Sequence, residues 1–242
     1  FNYLSKQIMK SISIVFPAHN EIENLEKLLF DWSDTLNNNK IDYEFVLVED
    51  GSNDGTKELI KELEKKYKII NLSQDAKRGY SKAVVDGILA SKKKFILCTD
   101  SDNQIKVDSL IDTIHSLPNE NEFIIGFRNP RKDPMNRIIY SKLFKIFHDL
   151  LFRSKLKDPS CPFVIGLKST FNKLSKENLI KMKEGFWWGF VANCLKKNLK
   201  FIEVPIKHFP RTKGEAGYKL KDMMGIIIRN VIGLIKIRIS NT

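Results

Sequence analysis

The chain has 242 residues, a net charge of +12 and 42% hydrophobic residues, which suits one large folded domain and excludes a disordered chain. Its 41 lysines and arginines outnumber 29 acidic residues, which favours partners such as phosphorylated substrates or anionic membrane surfaces. No nucleic-acid recognition motif accompanies this charge, so we expect no nucleic-acid partner. The three cysteines are widely spaced, which excludes a disulfide framework and a zinc pattern and indicates a reducing compartment. No run of about 18 apolar residues is present, so the sequence predicts no transmembrane helix.

Strands and helices alternate along the first half of the chain. The strands are predicted at the apolar runs of residues 11–16, 43–48, 69–72 and 95–99. The segments between them carry apolar residues at helical spacing, and Asn20 is expected to cap the first helix. This order predicts an α/β fold with a doubly wound, mostly parallel sheet. Ligands bind such sheets beyond the carboxyl ends of the strands, where Pro17, Asp50 and Asp100 are predicted to lie.

Two aspartates follow the predicted strand at residues 95–99. Asp100 and Asp102 are two residues apart, so both carboxylates point the same way from an extended strand end. Close carboxylates repel each other unless a cation lies between them, and Mg²⁺ is commonly held by one or two carboxylates with substrate phosphates. Gln104 continues the spacing and is a third candidate metal ligand. The alternative is a polar turn in which Asp102 or Asn103 caps the next helix.

Three polar blocks lie at the predicted strand ends. They read Phe16-Pro17-Ala18-His19-Asn20-Glu21, Val48-Glu49-Asp50-Gly51-Ser52-Asn53-Asp54-Gly55-Thr56 and Asp100-Ser101-Asp102. In this order the blocks resemble glycosyltransferase family 2, the inverting enzymes of the GT-A fold. Within that family the chain is similar to the polyprenol-phosphate glycosyltransferases, the subgroup of dolichyl-phosphate mannose synthase. The resemblance covers the N-terminal half and implies a GDP- or UDP-linked sugar as donor, with Mg²⁺ or Mn²⁺ as cofactor.

The resemblance also implies roles for individual donor-site residues. Those that it places against the nucleotide are Pro17, His19, Glu21, Val48 and Asp50. Those that it places in the metal and diphosphate loop are Asp100, Ser101, Asp102 and Gln104. Two residues near the end of the chain, Arg211 and Lys219, are implied to lie on a loop that closes over the diphosphate.

Three residues of the second half are implied to bind the acceptor phosphate. Arg128 follows a predicted strand at residues 123–127, and Arg137 and Ser141 are four residues apart, so they share one face of the next helix. The subgroup has an Arg after this strand, then an Arg and a Ser at that spacing, around its acceptor phosphate. Arg suits this role because its planar guanidinium binds phosphate oxygens in pairs. The alternative is that these are ordinary surface residues.

Asp158 lies in a stretch that departs from the family pattern. The sequence Asp158-Pro159-Ser160-Cys161-Pro162 stands where the family usually has an Asp followed by Ser-Gly-Phe. Asp158 could position the acceptor, act as a base or only end a turn. Members with saccharide acceptors usually carry a Glu-Asp pair further on, but this region reads Phe186-Trp187-Trp188-Gly189-Phe190.

The absence of the Glu-Asp pair indicates which kind of acceptor to expect. A sugar hydroxyl needs a base, whereas a phosphate is already an anion at neutral pH and needs only positioning. The sequence therefore favours a lipid-phosphate acceptor. The aromatic residues at positions 186–190 either pack in the core or line a lipid entrance.

The end of the chain is predicted to form an edge strand at residues 201–206 and a helix at residues 220–239. The helix combines Arg229, Lys236 and Arg238 with a broad apolar face, which is typical of a helix at a membrane surface. The alternative is packing on the domain or on a second subunit of a homo-oligomer. The expected organisation is a GT-A catalytic domain at residues 9–215, with a nucleotide-binding half at 9–115 and an acceptor half at 116–215, and a membrane-associated helix at 216–242.

Taken together, the sequence predicts a metal-dependent, inverting glycosyltransferase. It would move a sugar from a nucleotide diphosphate to a polyprenyl phosphate, undecaprenyl or dolichyl, at the cytoplasmic face of a membrane. Attachment to the membrane would be peripheral or through a further segment. One alternative acts on a saccharide hydroxyl with Asp158 as its base, and another binds nucleotide sugars at a membrane without catalysis.

Overall fold

The computed structural model describes residues 11–182, 184–211, 213 and 223–240. Its strands are β1 (Ser11–Ala18), β2 (Asp42–Glu49), β3 (Ile69–Asn71), β4 (Phe95–Thr99), β5 (Glu122–Arg128), β6 (Phe163–Leu167) and β7 (Lys200–Ile206). Its helices are α1 (Ile22–Asn38), α2 (Thr56–Leu63), α3 (Tyr80–Ala90), α4 (Asp108–Ile111), α5 (Met135–Phe152), α6 (Lys168–Phe171), α7 (Lys176–Leu179), α8 (Phe186–Lys196) and α9 (Met223–Ile239).

The strands form one sheet in the order β3-β2-β1-β4-β6-β5-β7. Strand β1 pairs in parallel with β2 and β4, β2 with β3, and β5 with β7, whereas β6 runs antiparallel to β4 and β5. The predicted α/β fold with a mostly parallel sheet is therefore confirmed, and β7 is an edge strand as expected. Helices cover both faces, which is why a central strand such as β4 is apolar and buried along almost its whole length.

Apolar side chains fill a layer on each face of the sheet. In one layer, Leu25 and Trp32 of α1 pack with Phe16 of β1. In the other layer, α3 approaches the sheet so closely that a Cβ on Gly87 would lie 2.4 Å from the side chain of Val15. Only glycine permits this approach without a shift of the helix. Both layers hold the carboxyl ends of β1, β2 and β4 side by side at one edge of the sheet.

The loop after β2 caps the start of α1. The Thr56 hydroxyl accepts the backbone N–H of Glu21 at 3.0 Å, and Asp54 accepts that of Ile22 at 3.2 Å. Asn20, the expected cap, has a φ of 58°, and its side chain accepts a hydrogen bond from the loop after β2 instead. The helix start is therefore fixed by a distant segment rather than by the residue before it.

Helix α9 packs against α5 and α8. Its residues Leu234 and Ile237 are buried beside Met182 and Trp188, while its opposite side exposes apolar residues. The packing alternative is thus correct for one face of this helix. The sequence predicts a start at residue 220, but residues 220–222 lie outside the described part. No helix in the described ranges combines the length and the apolarity needed to cross a membrane.

Candidate active site

Asp100 and Asp102 lie just beyond the carboxyl end of β4. The hydroxyl of Tyr80, at the start of α3, donates a 2.6 Å hydrogen bond to Asp100. The indole N–H of Trp187 donates in turn to the Tyr80 oxygen at 2.9 Å. Asp102 accepts the backbone N–H of Gln104 at 3.1 Å. These hydrogen bonds fix the orientation of both carboxylates.

Burial disfavours the charged form of both carboxylates. Burial and the neighbouring Asp102 raise the pKa of Asp100 from 3.8 to about 7, and burial also raises the pKa of Asp102. Such a pair fits Mg²⁺ or Mn²⁺, which take carboxylate oxygens and complete their shell with substrate phosphates. The described residues contain no group of three or more His, Cys, Asp or Glu side chains placed to hold a metal. Gln104, expected as a third ligand, donates its amide N–H to the Phe209 carbonyl at 3.0 Å and so braces the loop.

Arg211 brings a positive charge to this pair. Its guanidinium donates to Glu21 at 2.7 Å and lies 3.4 Å from Asp102. Burial raises the pKa of Glu21, and the charge of Arg211 opposes that rise. A residue from beyond β7 is thereby joined to the start of α1, across the expected diphosphate site. Lys219, the other residue expected on this loop, lies outside the described residues.

Two of the side chains expected at the donor site are buried in the protein interior. Val48 is fully buried in the layer beneath α3, so it offers a nucleotide only its backbone. Ser101 is buried as well, and its hydroxyl donates to the Pro17 carbonyl at 2.8 Å, which ties the end of β4 to the end of β1. His19 differs, because its buried Nδ1 finds no hydrogen-bond partner in the described part of the chain. Of these residues, His19 retains the clearest capacity to bind a ligand.

Asp50 holds a loop in place. One carboxylate oxygen accepts the backbone N–H of Arg78 at 2.7 Å, and the other accepts that of Gly79 at 2.8 Å. The same loop lies against Gly51, where φ is +69° and an added Cβ would come within 2.5 Å of the Lys77 nitrogen. Asp50 therefore positions this loop, and its expected contact with the nucleotide stays a prediction.

Arg128, at the end of β5, is paired with Asp158. Its Nε and Nη2 donate to the two Asp158 oxygens at 2.7 and 2.9 Å, and Nη2 also donates to Ser160. Burial raises the pKa of Asp158, but the hydrogen bonds and charge of Arg128 outweigh this effect and lower it to about 2. A carboxylate of such low pKa is a weak base at neutral pH. Asp158 thus lies in position to orient Arg128, and its role as a base in the saccharide alternative stays a prediction.

Asp133 lies among the residues expected at the acceptor site. Arg131 donates to Asp133 at 2.6 Å and to the Ser141 hydroxyl at 2.9 Å. Nη1 of Arg128 and Nη1 of Arg137 lie 3.4 and 3.8 Å from Asp133. The structure thus brings together the three residues expected around the acceptor phosphate, and it adds Arg131 and Asp133 to them. We refer to Arg128, Arg131 and Arg137 as the arginine cluster.

The carboxylate pair and the arginine cluster adjoin each other. Besides the effect of burial, the charge of Arg128 lowers the pKa of Asp100, and the charge of Asp133 raises the pKa of Asp102. Groups of the two sites are therefore close enough to interact electrostatically. A pair of carboxylates and a cluster of guanidinium groups thus share one edge of the sheet.

The family model for glycosyl transferase family 2 matches residues 13–181. The chain belongs to this family. Among its relatives, dolichol-phosphate mannosyltransferase of Pyrococcus furiosus is 27% identical over 93% of this chain and 64% of that protein. Dolichyl-phosphate beta-glucosyltransferase of Dictyostelium discoideum is 26% identical over 94% of this chain and 77% of that protein.

A bacterial relative belongs to the same group of lipid-phosphate enzymes by name. Undecaprenyl-phosphate 4-deoxy-4-formamido-L-arabinose transferase of Edwardsiella ictaluri is 22% identical over 89% of this chain and 65% of that protein. The chain therefore spans 64% and 65% of the length of the Pyrococcus and Edwardsiella relatives. The predicted similarity to polyprenol-phosphate glycosyltransferases is confirmed.

Solved structures of sugar-phosphoglycerate synthases share the fold. Glucosyl-3-phosphoglycerate synthase from Mycobacterium tuberculosis, in complex with phosphoglyceric acid, has a TM-score of 0.66 at 16% identity, covering 96% of this chain and 82% of that one. The same enzyme in complex with Mn²⁺, UDP and glucosyl-3-phosphoglycerate has a TM-score of 0.65 at 16% identity over the same shares. These likenesses confirm the GT-A fold.

Proposed function

We propose that this glycosyltransferase moves a sugar, with inversion, from a GDP- or UDP-linked donor to a polyprenyl phosphate at the cytoplasmic face of a membrane. One observation carries the proposal: the buried pair of Asp100 and Asp102 adjoins the arginine cluster. A reaction between a metal-bound diphosphate and a phosphate nucleophile needs a cation site next to an anion site. The names of the relatives, which are transferases of polyprenyl phosphates, support the same acceptor.

The donor half would work through the carboxylate pair. Asp100 and Asp102 would hold Mg²⁺ or Mn²⁺, which when bound neutralises the diphosphate of the leaving nucleotide. Tyr80 fixes the orientation of Asp100, and Arg211 reaches across the expected diphosphate site to Glu21. The M. tuberculosis synthase, solved with Mn²⁺ and UDP, supports a divalent cation and a nucleotide diphosphate on this fold.

The acceptor half would orient a phosphate rather than deprotonate it. A phosphate monoester is an anion at pH 7, so it needs positioning and charge neutralisation, which guanidinium groups supply. Arg128 is held in place by Asp158, and Ser141 lies beside Arg131. Inversion requires attack from the side opposite the leaving diphosphate. The arginine cluster lies at the β5 and α5 side of the sheet, away from β1 and β2, whose ends would hold the nucleotide.

Exposed apolar stripes on two packed helices support a lipid acceptor. On α5 the exposed residues recur every three or four positions, at Met135, Ile139, Leu143, Ile146 and Leu150. On α9 they are Met224, Ile228, Ile232, Ile235 and Ile239. Helix α5 also carries Arg137 and Ser141, so one helix combines the expected phosphate contacts with an apolar surface. Such helices suit the interface between lipid headgroups and acyl chains.

A soluble phosphorylated acceptor is the second candidate. It is favoured by the likeness to the M. tuberculosis synthase, which was solved with phosphoglyceric acid, and an arginine cluster can bind the phosphate of such a molecule. The exposed stripe on α5 has no part in recognising a small, polar acceptor. For that reason we place the lipid phosphate first.

A transfer assay with radiolabelled nucleotide sugars separates these candidates. The protein, Mn²⁺ and a panel of GDP- and UDP-sugars would be offered farnesyl phosphate, farnesol and 3-phosphoglycerate in parallel reactions. We expect label on farnesyl phosphate and none on the other two. Transfer to 3-phosphoglycerate alone would establish the second candidate. Equal transfer to farnesol and its phosphate would refute the phosphate acceptor, and donor binding without transfer would favour a non-catalytic protein.

A further inference from the structure

The Asp133 carboxylate occupies the space between three guanidinium groups. Arg131 donates to it at 2.6 Å, and nitrogens of Arg128 and Arg137 lie 3.4 and 3.8 Å away. The Asp133 side chain is only 8% exposed, as is that of Arg128. Burial raises the pKa of Asp133, but the neighbouring arginines outweigh this and lower it, so the group is charged at neutral pH. A buried anion thus sits where three arginines point.

The remaining bonds of the cluster distinguish Asp133 from Asp158. Arg128 has its Nε and Nη2 bonded to Asp158, which leaves Nη1 directed at Asp133. Arg131 has one nitrogen on Asp133 and another on Ser141. Among the described residues three guanidinium groups share two carboxylates, so removing Asp133 would leave Asp158 alone there to balance them. Asp158 is fixed by paired bonds, whereas Asp133 meets its arginines through single contacts.

The backbone around Asp133 is held independently of its side chain. The N–H of Lys132 donates to the His208 Nδ1 at 3.1 Å, and α5 begins three residues after Lys132, at Met135. The displacement inferred below is therefore a rotation of the side chain alone, with this backbone contact kept. Such rotation is unfavourable while the arginines have no other anion to bind. It becomes favourable when a dianion arrives, because the Asp133 carboxylate would then face like charge.

We propose that Asp133 is an internal substitute for the acceptor phosphate: it neutralises the arginine cluster in the empty site, and the acceptor phosphate displaces it. This inference rests on the proposed function, and it makes the acceptor site selective for phosphate monoesters. A phosphate monoester, with two charges and three free oxygens, outcompetes the carboxylate. A carboxylate ligand or a phosphodiester, with one charge, does not. Asp133 therefore restricts the site to phosphate monoesters.

Binding of phosphate monoesters in the absence of donor tests the inference directly. Asp133→Asn keeps the shape of the side chain and removes its charge. We expect this variant to bind farnesyl phosphate and inorganic phosphate about tenfold more tightly in calorimetry, because no internal anion competes. It should also gain affinity for acetate, which the wild-type protein excludes. Asp133→Glu, which restores the charge, should bind phosphate no more tightly than the wild type.

A matched control and a measurement on the wild-type protein exclude a merely structural role. Asp42→Asn removes an equivalent charge at the opposite end of the sheet, where Asp42 meets Lys68 and Lys93, and should leave phosphate binding unchanged. In the wild-type protein, carbodiimide labelling of Asp133, mapped by mass spectrometry, should increase when farnesyl phosphate is added. The labelling measurement needs no variant, so it tests the displacement of Asp133 even if Asp133→Asn does not fold.

The possible failures are distinguishable. Weaker or unchanged phosphate binding by Asp133→Asn, or labelling of Asp133 that does not respond to farnesyl phosphate, would overturn the inference while leaving the transfer reaction untouched. Tighter phosphate binding by the variant together with sugar transfer only to hydroxyl acceptors would overturn the proposed function and preserve the anion site.

Discussion

The Tyr80 hydroxyl donates a 2.6 Å hydrogen bond to Asp100, one of the two carboxylates expected to hold a metal. Tyr80 accepts in turn from the indole of Trp187, so side chains from α3 and α8 converge on the end of β4. Burial raises the pKa of Asp100 to about 7, and the hydrogen bond from Tyr80 opposes that rise. Tyr80 therefore positions the carboxylate and favours the charged form that binds a cation.

Substitution of Tyr80 by Phe should weaken metal binding in a pH-dependent way. Loss of a hydrogen bond to a charged group is worth about 1.5 kcal/mol, which corresponds to roughly tenfold in affinity. We expect Mn²⁺ affinity and transfer at about pH 7 to fall by that factor, and both to recover as the pH is raised and Asp100 loses its proton. Calorimetry with Mn²⁺ and a pH profile of transfer measure the two effects.

The control for this prediction is Tyr43→Phe, because Tyr43 is also buried but lies on β2, far from Asp100 in the sheet. It should change neither measurement. A loss in Tyr80→Phe that is equal at every pH would show that Tyr80 acts only through packing.

Asp100 should also make the metal-free protein less stable as the pH rises. Its pKa is raised from 3.8 to about 7, so between these values the folded state keeps a proton that the unfolded chain releases. Stability is therefore lost with rising pH across this window. Asp100→Asn removes the effect, so the variant should melt at a higher temperature than the wild type at about pH 8. Below about pH 4 the two should be alike.

Thermal unfolding with and without Mn²⁺ completes this test. The cation should raise the melting temperature of the wild type above about pH 7 and leave that of Asp100→Asn unchanged, because ligands stabilise only a state that binds them. The variant should also lack transfer activity. Normal stabilisation of Asp100→Asn by Mn²⁺ would place the metal elsewhere.

The position of the site was predictable from the sequence, but its internal contacts were not. Strand ends are marked by local changes from apolar to polar residues, which is why Pro17, Asp50 and Asp100 could be placed at one edge of a sheet. In contrast, 107 residues separate Tyr80 from Trp187 along the chain. No local pattern encodes such a pair, because it depends on how α8 packs against α3.

In the expected acceptor half, too, local sequence patterns did not predict contacts between distant residues. Helical spacing was enough to place Arg137 and Ser141 on one face. It gave no sign that Arg131 and Asp133, in an irregular loop, would complete the cluster. It also left the role of Asp158 open, since the pairing with Arg128 that lowers its pKa spans 30 residues.

That pairing leads to a prediction for Asp158→Asn. The variant leaves the Arg128 charge buried without its principal partner, and both side chains of the pair are about one-tenth exposed. Breaking a buried ion pair on one side costs about 3–5 kcal/mol, so we expect a loss of that size in the free energy of unfolding, measured with urea. Asp31→Asn, which breaks an exposed pair with Lys27, should cost less than about 1 kcal/mol.

The same variant separates positioning from base catalysis. If Asp158 only positions Arg128, Asp158→Asn should raise the KM for farnesyl phosphate and retain measurable turnover at saturating acceptor. A stable variant with no turnover at any acceptor concentration would support Asp158 as the base.

Membrane binding is best tested by substitution rather than truncation. Removal of residues after 219 would delete α9, whose Leu234 and Ile237 are buried beside Trp188, so the truncated protein would lose part of its core. The exposed stripe on α5 offers a cleaner test. Leu143 and Leu150 are 60% and 77% exposed, so replacing them disturbs little packing.

The double substitution of Leu143 and Leu150 by Glu should release the protein from anionic vesicles. Burying one Leu side chain in an apolar phase contributes about 1.5–3 kcal/mol, and each Glu adds repulsion from anionic headgroups, so binding should fall by at least about tenfold. Sedimentation with vesicles of phosphatidylglycerol and phosphatidylcholine measures this loss of binding.

Phe30→Glu with Leu89→Glu is the matched control, since these residues of α1 and α3 are 60% and 53% exposed. Both double variants should bind nucleotide sugar normally. Equal loss of vesicle binding in the two would show nonspecific adsorption, and unchanged binding in both would exclude α5 from the membrane surface.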